Sequence, residues 1–322
     1  MEYYRMDGME DFRCLAGHCQ HTWCRGGVIT VDEDSAARFA AYTGKLGERL
    51  RSALARDEDG DWTFTLDEQE NCPFLNGEGL CDLILEKGEG ALCQICRDHP
   101  RYVNEMYTRV EYGLGMVCEA AAASLVHRVE PLCLVPDGVD GEEPLYDPAV
   151  YGSDDRTERD AEAAVLAARD RYLRIAQARD LPFEERIQRL RNACGAKEDL
   201  VSKAAGDFLL TLETLDSAWP ETVKATVKGV EKTRWPEALA IPLEQILCAC
   251  LFRHMRYTGD GRAPEVQLML ALFLTELTLR VALVQEDANA DTLADALRRV
   301  SGEIEYSDIN TEALLDFLED DL

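Results

Sequence analysis

The chain has 322 residues, enough for one large domain or two ordinary ones, and its 46% hydrophobic and 30% charged residues describe a globular protein. A formal net charge of −28 repels phosphate, so nucleic acid and anionic membranes are poor partners and a basic or lysine-bearing one suits better. No basic, apolar leader opens "MEYYRMDGMEDFRC", so a cytoplasmic, reducing compartment is expected, where twelve cysteines serve as metal ligands or buried thiols rather than as a disulfide framework.

In chain order, "FRCLAGHCQHTWCRGG" (12–27) sets Cys14, Cys19 and Cys24 at intervals of five, with His18 and His21 between them. That spacing suits a loop wrapped around an inorganic centre and is too wide for a zinc finger, although His18 and His21 can stand in as zinc ligands. "VDEDSAARFAAYTGKLGERLRSALAR" (31–56) has an acidic first turn and apolar residues at helical spacing, so a helix is predicted. "DWTFTLD" (61–67) alternates like a short strand. "CPFLNGEGLC" (72–81) has hairpin chemistry between two cysteines. Cys93-x-x-Cys96 lets both sulfurs reach one ion from a single turn, and "EYGLGMVCEAAAASLV" passes from strand to helix through Cys118.

Residues 136–158, rich in Pro, Gly and acids, read as a linker. Helical patterns fill the rest, over 159–179, 181–194, 197–217, 219–232, 242–257, 264–286 and 290–301, before an acidic tail that is a short helix or disordered. The apolar run 266–284 is interrupted by Glu276 and Arg280, four apart and able to pair, which makes it a buried helix rather than a membrane span. The expected fold is mainly α: a cysteine-rich metal-binding module with short hairpins (1–135), an acidic linker (136–158), and an all-helical domain (159–322).

Eight of the cysteines lie in the first 118 residues: Cys14, Cys19, Cys24, Cys72, Cys81, Cys93, Cys96 and Cys118. Soft thiolates select zinc, copper(I) or iron–sulfur clusters, usually four to a closed site. Eight candidates therefore make two sites, or one with cysteines to spare. The bland alternative is burial as small apolar residues, which is the role expected of Cys133, Cys194, Cys248 and Cys250. Walker, dinucleotide, zinc-protease and nucleophile-elbow motifs are absent.

The stretches "FRCLAGHCQHTWCRGGVITVD", "CPFLNGEGLCDL", "LCQICRDHPRYV" and "VEYGLGMVCEAA" resemble the flagellin lysine-N-methylase (FliB-type) family and its cysteine-cluster relatives, with looser likeness continuing to about residue 285. The resemblance implies methyl transfer from S-adenosylmethionine to lysines of flagellin or a similar protein, by an enzyme holding a [4Fe-4S] cluster on the cysteines named above. Arg97, Pro100 and Arg101 match the family's C-R-x-x-P-R. Trp23 stands where members usually have a second cysteine, and Glu119 where relatives often have proline. Arg97 and Arg101 are candidates to hold the cofactor carboxylate, or else they pair with the chain's own acids. Glu111 is a candidate base, or else an exposed strand glutamate. A non-catalytic zinc or iron–sulfur module for protein interaction, and a redox protein, are the alternatives.

Overall fold

The computed structural model describes residues 1–27, 29–137, 156–196, 199–228, 232–284 and 288–320. Strand β1 (Glu2–Met6) opens the chain and is followed by the loop carrying the first three cysteines. Helices α1 (Glu33–Ala40) and α2 (Gly44–Ala53) come next, then β2 (Leu54–Arg56) and β3 (Trp62–Phe64), which pair antiparallel. Two short helices, α3 (Asp82–Lys87) and α4 (Gln94–Asp98), precede β4 (Arg101–Glu105), β5 (Arg109–Leu114), α5 (Glu119–Val126) and β6 (Leu134–Pro136). The remainder is helical: α6 (Arg156–Ala176), α7 (Phe183–Ala193), α8 (Lys203–Leu209), α9 (Trp219–Val227), α10 (Ala240–His254), α11 (Pro264–Leu283), α12 (Ala290–Val300), a π-helical turn (Ser301–Glu305) and α13 (Asp308–Glu319). The chain is mainly α, with thirteen α-helices among the described residues. Within the predicted linker, residues 138–155 lie outside the described set.

The helix predicted over 31–56 is in fact two. Asp32 caps α1 by accepting the Ser35 amide at 2.8 Å. The chain then turns at Gly44, whose φ of +72° suits glycine. A Cβ on Gly47 would stand 2.0 Å from the Tyr42 carbonyl oxygen, so only glycine lets α2 pass this close to the end of α1. At the other end, Ser307 caps α13 by accepting the Asn310 amide, and the acidic tail is helical through Glu319.

By their contacts the residues fall into two units. A helical unit comprises Met1–Phe12, Val103–Val117 and Ala121–Leu322, and a cysteine unit comprises Arg13–Tyr102 and Cys118–Ala120. Residues 1–12, 103–117 and 121–135, which composition assigns to the cysteine module, cluster with the helices. Strand pairing explains this. β1 runs parallel to β5 (Tyr3 opposite Val110) and antiparallel to β6 (Arg5 opposite Val135), in a sheet of order β4-β5-β1-β6.

In the helical unit α11 is the one helix among the described residues long and apolar enough to cross a membrane, yet 94% of its apolar window is buried inside the protein. It is a core helix, and Glu276 and Arg280 do pair on it, at 3.1 Å. At the π-helical turn, Glu305 receives the His254 ring nitrogen at 2.7 Å. Burial opposes ionisation of Glu305, but the Arg253 charge and the His254 hydrogen bond hold its pKa at about 2, while burial depresses that of His254. Both groups thus bind protons more weakly folded than unfolded, so stability is lost as pH falls. The urea midpoint read by helical circular dichroism is expected to decline below pH 6.5 and more steeply below 4.5, the Glu305 part amounting to about 3 kcal/mol. A midpoint unchanged from pH 7 to pH 3 would contradict this.

The cysteine unit packs around Phe39, Leu50, Phe64 and Phe74. The Phe39 and Phe64 rings stack at 5.9 Å, and Phe64 meets Phe74 at 5.1 Å. Cys72 and Cys93 belong to this core, and Cys24, Cys81 and Cys96 pack against it.

Candidate metal centre

Three local devices bring these five thiols together. The strand-like bridge between Arg25 and Asn71, with the Cys72 amide donating to the Cys24 carbonyl at 2.8 Å, lays the first cysteine loop beside the start of the hairpin. Within the hairpin Leu75 bridges to Cys81, and the Asn76 side chain accepts the Glu78 and Leu80 amides, each at 3.0 Å, so the turn returns Cys81 towards Cys72. Cys93 then stands at the N-cap of α4, and the Arg97 amide donates to its carbonyl at 3.1 Å. That single turn lets the Cys96 thiol hydrogen-bond Cys93.

The electrostatics follow from this crowding. Burial pushes the Cys72 thiol up to about 12, and the neighbouring Cys24, Cys81 and Cys93 add to the effect. Cys24 is raised by burial and by Cys81 and Cys14. Cys96 is raised by its bond to Cys93, by burial and by the thiols around it, whereas the same bond lowers Cys93. Thiols that oppose one another's ionisation ionise together when a cation joins them, and such a cation is bound more tightly as pH rises. The all-sulfur donor set is the one that zinc and iron–sulfur clusters take. Among the described residues, however, no group of three or more His, Cys, Asp and Glu side chains is arranged to hold a metal ion.

The other three proposed ligands keep different company. Cys14 is exposed and accepts the Ala16 amide at 3.3 Å. Cys19 lies 3.7 Å from the Glu119 carboxylate and is raised by burial and by Cys118. Glu119 also accepts the Gln20 and His21 amides at 3.0 and 3.2 Å and meets the His21 ring at 3.1 Å, whereas His18 is exposed. Glu119 thus ties the Cys118 segment to the first cysteine loop, a role that no local pattern announces.

Of the remaining candidates, Arg97 is exposed and donates to Gln94. Arg101 is half-buried and adds to the burial that depresses His99 to about 4, and the His99 ring stacks on Trp23 at 5.5 Å. Glu111 is neither exposed nor in the cysteine unit. It sits on β5 in the helical unit, where Arg169 grips both its oxygens at 2.5 and 2.7 Å. Both side chains are 2% exposed. This carboxylate is already paired with a buried cation. Glu111→Gln is expected to destabilise the protein by about 3–5 kcal/mol by leaving Arg169 buried and poorly paired. Unchanged thermal stability with lost activity would instead restore Glu111 as a base. Cys194, Cys248 and Cys250 are buried as expected, but Cys133 is exposed, in the loop before β6.

No protein-family model matches the chain, and no solved structure matches it. A curated relative is the flagellar biosynthetic protein FliU of Salmonella muenchen, 22% identical over 128 residues, which covers 38% of this chain and 76% of that protein.

Proposed function

We propose that this chain is an iron–sulfur protein lysine N-methyltransferase acting on flagellin or a similar surface protein. The observation that carries the reading is the gathering of Cys24, Cys72, Cys81, Cys93 and Cys96 on one core. The resemblance of its cysteine stretches to the flagellin methylases supports it, as does the partial likeness to a flagellar biosynthetic protein. A net charge of −28 suits a lysine-bearing substrate.

In this reading Cys72, Cys81, Cys93 and Cys96 hold the cluster, with Cys24 beside them. When bound, the cluster supplies a folded anchor for the cysteine loops and a positive centre that keeps their thiolates ionised. The methyl donor is S-adenosylmethionine, whose carboxylate suits the exposed Arg97 guanidinium at the end of the Cys93–Cys96 turn. Transfer forms a lysine N–CH₃ bond as the donor's S–CH₃ bond breaks, S-adenosylhomocysteine leaves, and the nitrogen gives up a proton. The amine must first be neutral, against a free pKa of about 10.4, so the site must exclude water from it. Incubation with methyl-labelled S-adenosylmethionine and flagellin is expected to label lysines. A cluster-loaded protein that labels none, and binds no S-adenosylmethionine by calorimetry, refutes the assignment.

A second reading has its own support, because a Cys-x-x-Cys turn facing a cysteine hairpin is also the donor pattern of a structural zinc site. A colourless, zinc-loaded protein would select that binding module, whereas a brown one bleached by dithionite would not.

A further inference from the structure

We propose that Asp32, Arg38 and Arg49 are positioning residues for the cysteine loops, an inference that rests on the metal-centre reading. None of the three ends on a sulfur atom. Each ends on the backbone or carboxylate next to one.

Asp32 divides its carboxylate, one oxygen capping α1 through the Ser35 amide and the other accepting the Gln94 amide, each at 2.8 Å. Gln94 N belongs to the peptide that follows Cys93. Arg38, on the same helix, donates to the Leu92 carbonyl at 2.7 Å and to Ser35 Oγ at 3.0 Å. Leu92 O belongs to the peptide that precedes Cys93. One helix therefore grips the chain on both sides of that thiol. Arg49 on α2 does the same for the hairpin. It donates to the carbonyl of Pro73, the residue after Cys72, and to the carboxylate of Asp82, the residue after Cys81, at 2.6 Å to the latter. Asn76 holds the other Asp82 oxygen at 3.0 Å, and the Arg49 guanidinium lies 5.0 Å from the Phe74 ring centroid.

The platform beneath these clamps is rigid, because Phe39 of α1 and Leu50 of α2 are fully buried in the shared core. The clamps are also close to neutral, with Arg49 paired to Asp82 and Asp32 balanced by Arg38 on the same helix. They fix direction without adding net charge beside the thiols. Partners that orient metal ligands typically alter metal affinity about 10- to 100-fold when removed.

Arg51 provides the control. It lies on the same helix and donates to the Tyr42 carbonyl at 2.8 Å, a bond of the same kind that ends on a residue with no cysteine beside it in the chain. The experiment loads wild type, Arg49→Ala, Arg49→Lys, Asp32→Asn and Arg51→Ala anaerobically with iron and sulfide, or with cobalt(II). It then follows loss of the visible chromophore to a chelator, alongside circular dichroism. Asp32→Asn keeps an acceptor for the Ser35 cap and so guards against simple unfolding. Arg49→Ala and Asp32→Asn are expected to release metal about 10- to 100-fold faster than wild type, with Arg49→Lys intermediate and Arg51→Ala unchanged. Release from Arg49→Ala and Asp32→Asn at the Arg51→Ala rate would overturn the clamp while leaving the metal centre standing. A wild-type chain that takes up neither cluster nor cobalt would remove the metal reading, and the clamp with it.

Discussion

Serine at both Cys93 and Cys96 is expected to leave the purified protein without metal and to lower its melting temperature sharply, whereas Cys248→Ser leaves the metal in place. Cys93 is 1% exposed, the most enclosed of the five thiols, and is hydrogen-bonded by Cys96. Serine cannot supply a soft anionic donor, and binding of a structural metal is worth about 10–16 kcal/mol in small zinc folds, so its loss dominates the stability of the cysteine unit. Cys248 is fully buried on α10 in the helical unit, where it acts as a small apolar residue. Metal analysis of the three proteins checks this. Equal metal content in all of them would show that the Cys93–Cys96 turn is not part of a centre.

The second large effect is expected at Glu276. Its carboxylate accepts Arg191 at 2.8 Å, Thr233 Oγ1 at 2.8 Å, and the Leu200 and Val201 amides at 3.2 and 3.3 Å, and it pairs with Arg280 at 3.1 Å. Arg191 and Arg280 are shared with Asp199, at 2.8 and 3.1 Å. These groups join α7, α11 and the segments around 200 and 233 inside the core. Glu276→Ala strands two backbone amides and leaves two buried guanidiniums with Asp199 as their one shared carboxylate, which is expected to cost about 3–5 kcal/mol. Denaturant unfolding measures it, and a loss below about 1 kcal/mol would mean that the network is solvated rather than buried.

The sequence carries local signals well and distant ones poorly, and the elements divide along that line. The Cys72–Cys81 hairpin is legible because Asn76 and Gly79 encode its turn within the segment itself. The Glu276–Arg280 pair is legible because the two residues are one helical turn apart. By contrast, apolar periodicity runs unbroken through 31–56, and only the approach of Gly47 to the Tyr42 carbonyl reveals two helices. β1 has no local announcement either, since its partner is a strand more than a hundred residues later.

The site shows the same division. A cysteine count points to ligands, but Cys24 meets Cys72 through the Arg25–Asn71 bridge and the backbone bond beside it, and Glu119 ties the Cys118 segment to Cys19 across about a hundred residues. Glu111 shows the same limit from the other side. Its strand position near Cys118 suggests a reactive group, while the residue that neutralises it, Arg169, lies on a helix 58 residues further on. Charged residues at helix caps and on helix faces, such as Asp32 and Arg49, look like ordinary solubility until their acceptors are known.

The most direct test is anaerobic purification of the full chain followed by iron, zinc and acid-labile sulfide analysis. The expected result is a brown protein with iron and sulfide in equal amounts, about four of each per chain. A colourless protein free of metal and sulfide, with Cys24, Cys72, Cys81, Cys93 and Cys96 all open to alkylation under native conditions, would contradict the account at its root.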